Sequence, residues 1–176
     1  MATTESITKK YYTTIAQWTG LKHGGEIYNS LKDGVSTQII NERICGKKNI
    51  LFLIITNEGY SFGAFISGLI PSPKPHPEYV KDTSKHFVFT LNNPFNTEPT
   101  ALKRKEKKGM TLCVFPNNDH TNVLEIKKCF SIKNDGKSVV SPFFNQKYDD
   151  TTQYSSCLFT GEDTINYKEI SAMQWE

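Results

Sequence analysis

A chain of 176 residues and 20.0 kDa is the size of one domain, and it can bury roughly 70% of its unfolded surface without disulfide or metal staples. Its 37% hydrophobic content excludes a disordered chain, and its longest apolar run, Ile50 to Ile55, is far below the ~20 residues of a membrane span. The net charge of +3 describes a mildly cationic protein and commits it to no class of partner.

The N-terminus, MATTESITKKYY, has no apolar leader, which points to a cytoplasmic or nuclear protein with no membrane insertion. Residues 1–17 are expected to form an N-terminal extension and residues 18–176 a single domain. TTIAQWTG (13–20) reads as a short helix or turn stopped by Gly20. EIYNSL (26–31) has the composition of a short strand, and Lys32-Asp33-Gly34 is a turn signal. Residues 35–44 predict a helix, capped by Ser36 or Thr37, with Ile39, Ile40 and Ile44 as its buried stripe.

The run 50–56 predicts a buried strand, Asn57-Glu58-Gly59 a hairpin turn with Gly59 at positive φ, and 60–67 the return strand. Four prolines within 71–77 make a stiff loop. Strand character returns in HFVFTL (86–91), TLCVF (111–115) and LEIKKCFSI (124–132), the last alternating at Leu124, Ile126, Phe130 and Ile132. Asp135-Gly136 marks a turn, and SVVSPFF, SSCLFT and TINYKEISAMQW supply the final strand candidates. Eight or nine short strands with one or two helices predict a mainly-β domain: a two-sheet antiparallel β-sandwich with a few short flanking helices.

No catalytic site assembles from the residues, and the chain is expected not to be an enzyme. His23, His76, His86 and His120 fall in no metal-binding or hydrolase pattern, and no phosphate-cradling glycine loop occurs. Cys113 lies in TLCVF, where a buried structural thiol is the simpler reading than a nucleophile paired with His120. NNDHTNVLE (117–125) lacks the spacing of a calcium loop and reads as a polar turn. Cys45, Cys113, Cys129 and Cys157 contain no C-x-x-C pair, so zinc would need distant ligands. No cofactor is implied.

Charge is uneven. Residues 101–128 hold seven Lys and Arg against three acids, with the peak at KRKEKK. Lys103, Arg104, Lys105, Lys107 and Lys108 are therefore the candidate surface for a protein partner or nucleic acid. The structural reading of ALKRKEKKG (101–109) is a solvated loop or short exposed helix.

The order of these pieces resembles the TLDc domain family. EIYNSLKDGVSTQIINERICGKKNILFLIITNEGYSFGAFIS is similar to the family's opening, HFVFTLNNPFNTEPTALKRKE to its F-x-F-x-L-x-N-P element, and YDDTTQYSSCLFTGED with INYKEISAMQW to its closing segment. Two departures stand out. NNDHTNVLEIKK replaces a glycine-rich stretch, and Ser171 occupies a position usually acidic. The resemblance implies a two-sheet sandwich and a non-enzymatic role in oxidative-stress response through protein interaction, including subunits of the vacuolar proton-pumping ATPase. Another class of function, a DNA-binding regulator of the stress response using the lysine-rich surface and a homodimer, is the alternative; a peroxide-sensing thiol protein is a third.

One glycine carries structural information. In YSFGAFIS, Ser61, Gly63 and Phe65 share one strand face, and Gly63 leaves room there for an aromatic from the next strand, Phe87 or Phe89.

Overall fold

A computed structural model describes residues 2–81 and 84–176. Two helices come first, α1 (Thr4–Lys10) and α2 (Tyr12–Thr19). They are followed by β1 (His23–Asn29), α3 (Ser30–Asp33), α4 (Thr37–Ile44), β2 (Ile50–Thr56), β3 (Ser61–Ile66) and β4 (Glu78–Lys81). The second half holds β5 (His86–Asn92), β6 (Thr100–Lys103), β7 (Met110–Val114), β8 (Asn122–Ile126), β9 (Phe130–Lys133), β10 (Val139–Val140), α5 (Phe144–Lys147) and β11 (Tyr167–Trp175).

The strands form two antiparallel sheets, one of six strands in the order β1-β11-β2-β3-β5-β6 and one of five in the order β10-β9-β8-β7-β4. This is the two-sheet sandwich expected from the pattern of short strands. Between the sheets lie Phe52, Phe62 and Val88 from one side and Leu112, Leu124, Ile126 and Phe130 from the other. Phe62 meets Phe130 edge-on at 5.4 Å. Helix α4 adds Ile40 and Ile44 to this core, and the Ser36 hydroxyl caps it by accepting from the Ile39 amide at 3.1 Å.

A second apolar cluster covers the other face of the six-stranded sheet. Leu51, Leu53, Ile55, Phe65, Phe87 and Phe89 pack there beneath Ile7 of α1 and Ile15 of α2. Because the sheet is covered on both faces, β2 reads as a continuous apolar run and is buried along its whole length. The boundary expected at residue 18 falls inside α2. Thr4 is fully buried, its amide and hydroxyl donating to the Glu169 carboxylate at 3.1 and 2.7 Å. Asn29 Nδ2 supplies a third donor at 2.8 Å, so both oxygens of a side chain with 2% exposure are hydrogen-bonded.

Gly63 pairs with Leu53 on one side and Phe89 on the other. A Cβ there would sit 1.8 Å from the Phe52 carbonyl oxygen and 2.9 Å from Phe89 Cζ. The opposing aromatic is Phe89, but the tighter constraint is backbone. Gly59 closes the β2–β3 turn at φ +91°.

Three expectations need correction. LEIKKCFSI is not one strand but the β8–β9 hairpin, because Lys128 takes φ +56° and the Cys129 amide donates to the Ile126 carbonyl at 2.9 Å. Its alternation survived because both arms face the same core. SSCLFT forms a 3-10 turn at Ser155–Leu158, not a strand, and buries Leu158 and Phe159 instead of pairing. The stretch 101–109 begins as strand β6, which pairs with β5 from Thr100–Thr90 to Lys103–Phe87. The described residues hold eleven strands and five α-helices, more than pattern alone resolved, the extra strands being short.

Candidate functional site

Strand alternation decides where the lysine-rich segment points. Leu102 is buried in the core between the sheets, so Ala101 and Lys103 face the opposite side, toward α2. Lys103 and Lys107 accordingly line a depression beside Trp18 and Phe87. Lys105 and Lys108 turn instead toward the five-stranded sheet, and Arg104 borders both places. The five candidate cations therefore do not form one face.

Arg104, Lys105 and Lys108 are joined by three lysines from other elements: Lys127 and Lys128 of the β8–β9 turn and Lys147 at the end of α5. Together they surround a pocket of about 220 Å³ with Glu106 as the single acid in its wall. Main-chain bonds fix the three segments. The Lys105 amide donates to the Lys147 carbonyl at 2.9 Å, Arg104 bridges Tyr148, and the Lys127 amide donates to the Thr111 carbonyl at 2.8 Å.

Several side chains of the pocket meet neutral partners. Lys128 Nζ donates to Gln146 Oε1 at 2.9 Å, and Lys127 Nζ lies 4.4 Å from the Tyr79 ring centre. Arg104 Nη2 donates to the Lys107 carbonyl at 3.0 Å. The ion pairs Lys32–Glu26, Arg43–Asp33 and Lys74–Glu78 lie elsewhere. Burial, reinforced by Arg104, Lys127 and Lys128, pushes the Lys147 ammonium down to about 8.

Tyr148, next in the chain to Lys147, belongs to a buried polar pair with His86. His86 Nδ1 lies 2.9 Å from the Phe65 carbonyl, which can only accept, so Nδ1 carries the proton, and Nε2 is hydrogen-bonded with the Tyr148 hydroxyl at 2.7 Å. His86 is thus a buried anchor and not a strand-edge residue as its position in the chain suggests.

A cleft of about 740 Å³ lies between α1, α2 and β1. Its charges are of mixed sign, and Glu26 and Lys32 there satisfy one another at 2.7 Å. Two of the thiols are buried and poorly suited to act as nucleophiles. Burial, with Glu125 nearby, pushes Cys113 up to about 12, and complete burial raises Cys129 well above the ordinary range. No group of three His, Cys, Asp or Glu side chains suited to a metal ion occurs among the described residues. No described helix is long and apolar enough to cross a membrane.

Of the residues lining this pocket, the sequence singled out Arg104, Lys105 and Lys108 as candidates and did not mark Lys127, Lys128 and Lys147. Reading Lys127-Lys128 as a turn would have placed them beside the start of β7; nothing in the local sequence marks Lys147.

The family model described as "TLDc domain" matches residues 3–170 of the chain. No curated protein matches it.

Proposed function

Because the chain belongs to the TLDc domain family, we propose that it acts in the oxidative-stress response as a non-enzymatic interaction domain. The partner suggested by that kinship is the vacuolar proton-pumping ATPase. The supporting observation is the match of the family model across residues 3–170, nearly the whole chain. A tagged form of the protein is expected to recover proton-pump subunits from native membranes, and cells lacking it are expected to survive peroxide less well. Recovery of no pump subunit, with unchanged peroxide survival, overturns the reading.

The alternative DNA-binding reading requires a continuous basic face to track phosphates along a duplex. The division of Lys103 and Lys107 from Lys105 and Lys108 speaks against it. In gel shifts, preference for any duplex over random competitor would restore it.

A further inference from the structure

We propose that the pocket walled by Arg104, Lys105, Lys108, Lys127, Lys128 and Lys147 binds a compact anion carrying two or more phosphate groups. Six cations from three separate stretches of chain converge on about 220 Å³ with one carboxylate among them. Surface cations ordinarily disperse or pair with acids, because like charges held together repel. Here the main-chain bonds that tie Lys105 to Lys147 and Lys127 to Thr111 hold the charges together, with Glu106 as the single acid in the wall.

Lys105, Lys108, Lys127, Lys128 and Lys147 form no ion pair among the described residues. Lys147 is the most exacting of the six. It is half-buried, and burial together with the repulsion of its cationic neighbours pushes its ammonium down to about 8, a cost that a phosphate oxygen would relieve. The groups facing it are Arg104, Lys127, Lys128 and the buried thiol of Cys129.

Size and shape choose among anions. A single phosphate would engage only part of a six-cation wall, whereas two or three phosphates on a small scaffold reach all of it. Duplex DNA needs a long open track instead. Lysine point charges suit phosphate without demanding the planar geometry of a carboxylate, and Arg104 adds one guanidinium fork. A phosphorylated lipid headgroup and a soluble phosphorylated sugar share this chemistry. Phe143, at the entry to α5 and 54% exposed, lines a depression together with Lys128 of this pocket and is the apolar side chain a bilayer would meet if the source were lipid.

Calorimetry with inositol trisphosphate at about 0.15 M salt, where long-range charge effects are screened, tests the site. One-to-one binding is expected, with inorganic phosphate at least about tenfold weaker, a difference of roughly 1.4 kcal/mol. Lys147→Met is expected to weaken binding about tenfold while melting no lower than the parent, since it removes a charge that burial disfavours. Raising pH from about 7 to about 9 deprotonates Lys147, so affinity should fall more steeply in the parent than in Lys147→Met.

Vesicles containing phosphatidylinositol bisphosphate separate the two sources. Co-sedimentation lost in Phe143→Ser, with inositol trisphosphate binding intact, assigns a lipid headgroup; binding of the soluble probe alone assigns a soluble ligand. Either result upholds the pocket. Silence at ~1 mM inositol trisphosphate, equal binding by Lys147→Met, or tighter binding of short duplex DNA overturns it.

Discussion

Replacing Gly63 with alanine separates a packing constraint from an ordinary strand glycine. In most strands Gly→Ala stabilises by roughly 0.5–1 kcal/mol, because glycine loses more freedom on folding. At Gly63 the added methyl would lie 1.8 Å from the Phe52 carbonyl oxygen and 2.9 Å from Phe89 Cζ. An ordinary C···O contact is about 3.3 Å, so β2 and β3 must separate by on the order of 1.5 Å. β2 is paired on both sides and β3 likewise, so the movement disturbs ladder bonds on two flanks. Losing two such bonds, at about 1 kcal/mol each, plus about 2 kcal/mol for overpacking, gives about 4 kcal/mol. In a domain of this size that lowers Tm by about 8–16 °C. Gly59→Ala provides the contrast: φ is +91° but nothing lies within 4 Å of the new methyl, so only about 1 kcal/mol of backbone strain is expected. Thermal melts of both variants and of Gly63→Ala combined with Phe89→Ala decide the matter. Gly63→Ala melting within about 2 °C of the parent, or rescue by trimming Phe89, would refute the claim that the Phe52 backbone sets the constraint.

Ser171→Ala is expected to leave stability unchanged or raise it by about 1 kcal/mol, read by denaturant midpoint, because the buried Ser171 hydroxyl has no partner. Thr4→Val keeps the amide bond to Glu169 but removes the hydroxyl donor at 2.7 Å, and should cost about 2 kcal/mol as a hydrogen bond to a charged group. In brief thiol labelling at neutral pH, exposed Cys157 should react while Cys113 and Cys129 react only after denaturation; mass spectrometry finding either buried thiol modified in the native protein contradicts this. Stability should decline above about pH 8.5. The raised Cys113 and Cys129 contribute stability that is complete below the unfolded thiol value and lost as pH climbs through the folded one. Raised Tyr28, Tyr79 and Tyr148 extend the loss above about pH 10. Lys147 opposes it modestly between about 8 and 10.5, because its lowered value makes the folded state less costly once deprotonated.

Where one physical signal dominated, the fold was legible. The apolar run 50–56, the Asn57-Glu58-Gly59 turn and the alternation in 86–91 each announce a strand or its end, and the structure has β2, the hairpin and β5 there. Ile7 and Ile15 lay hidden in a polar N-terminal stretch because α1 and α2 present narrow apolar stripes to a sheet that the same sequence already made apolar on its second face. Leu51, Leu53 and Ile55 were the available clue. A strand exposed on one face has no use for them, so something had to cover that side. The β8–β9 hairpin escaped because Lys127-Lys128 interrupts two arms with matching alternation, and lysine at positive φ carries no turn signature as glycine or asparagine does.

Charge in sequence and charge in space diverge for the same reason that strands alternate. Between Ala101 and Lys108 the chain leaves a sheet edge, so neighbouring lysines depart to opposite sides of β6. Half of the positive pocket is then completed by residues 127, 128 and 147, brought in by a hairpin and by the antiparallel bridge between Arg104 and Tyr148. A charge count along the chain overstates the coherence of KRKEKK and misses its partners entirely. The depressed Lys147 is the distinguishing mark of the assembled site, because its burial and the added repulsion of Arg104, Lys127 and Lys128 arise only where separate segments are held close. Lys107→Glu and Lys128→Glu make the same charge change at similar exposure, one outside the pocket wall and one within it. If the pocket is the functional unit, only Lys128→Glu should weaken inositol trisphosphate, by more than about tenfold; equal losses from both would return the binding to diffuse charge.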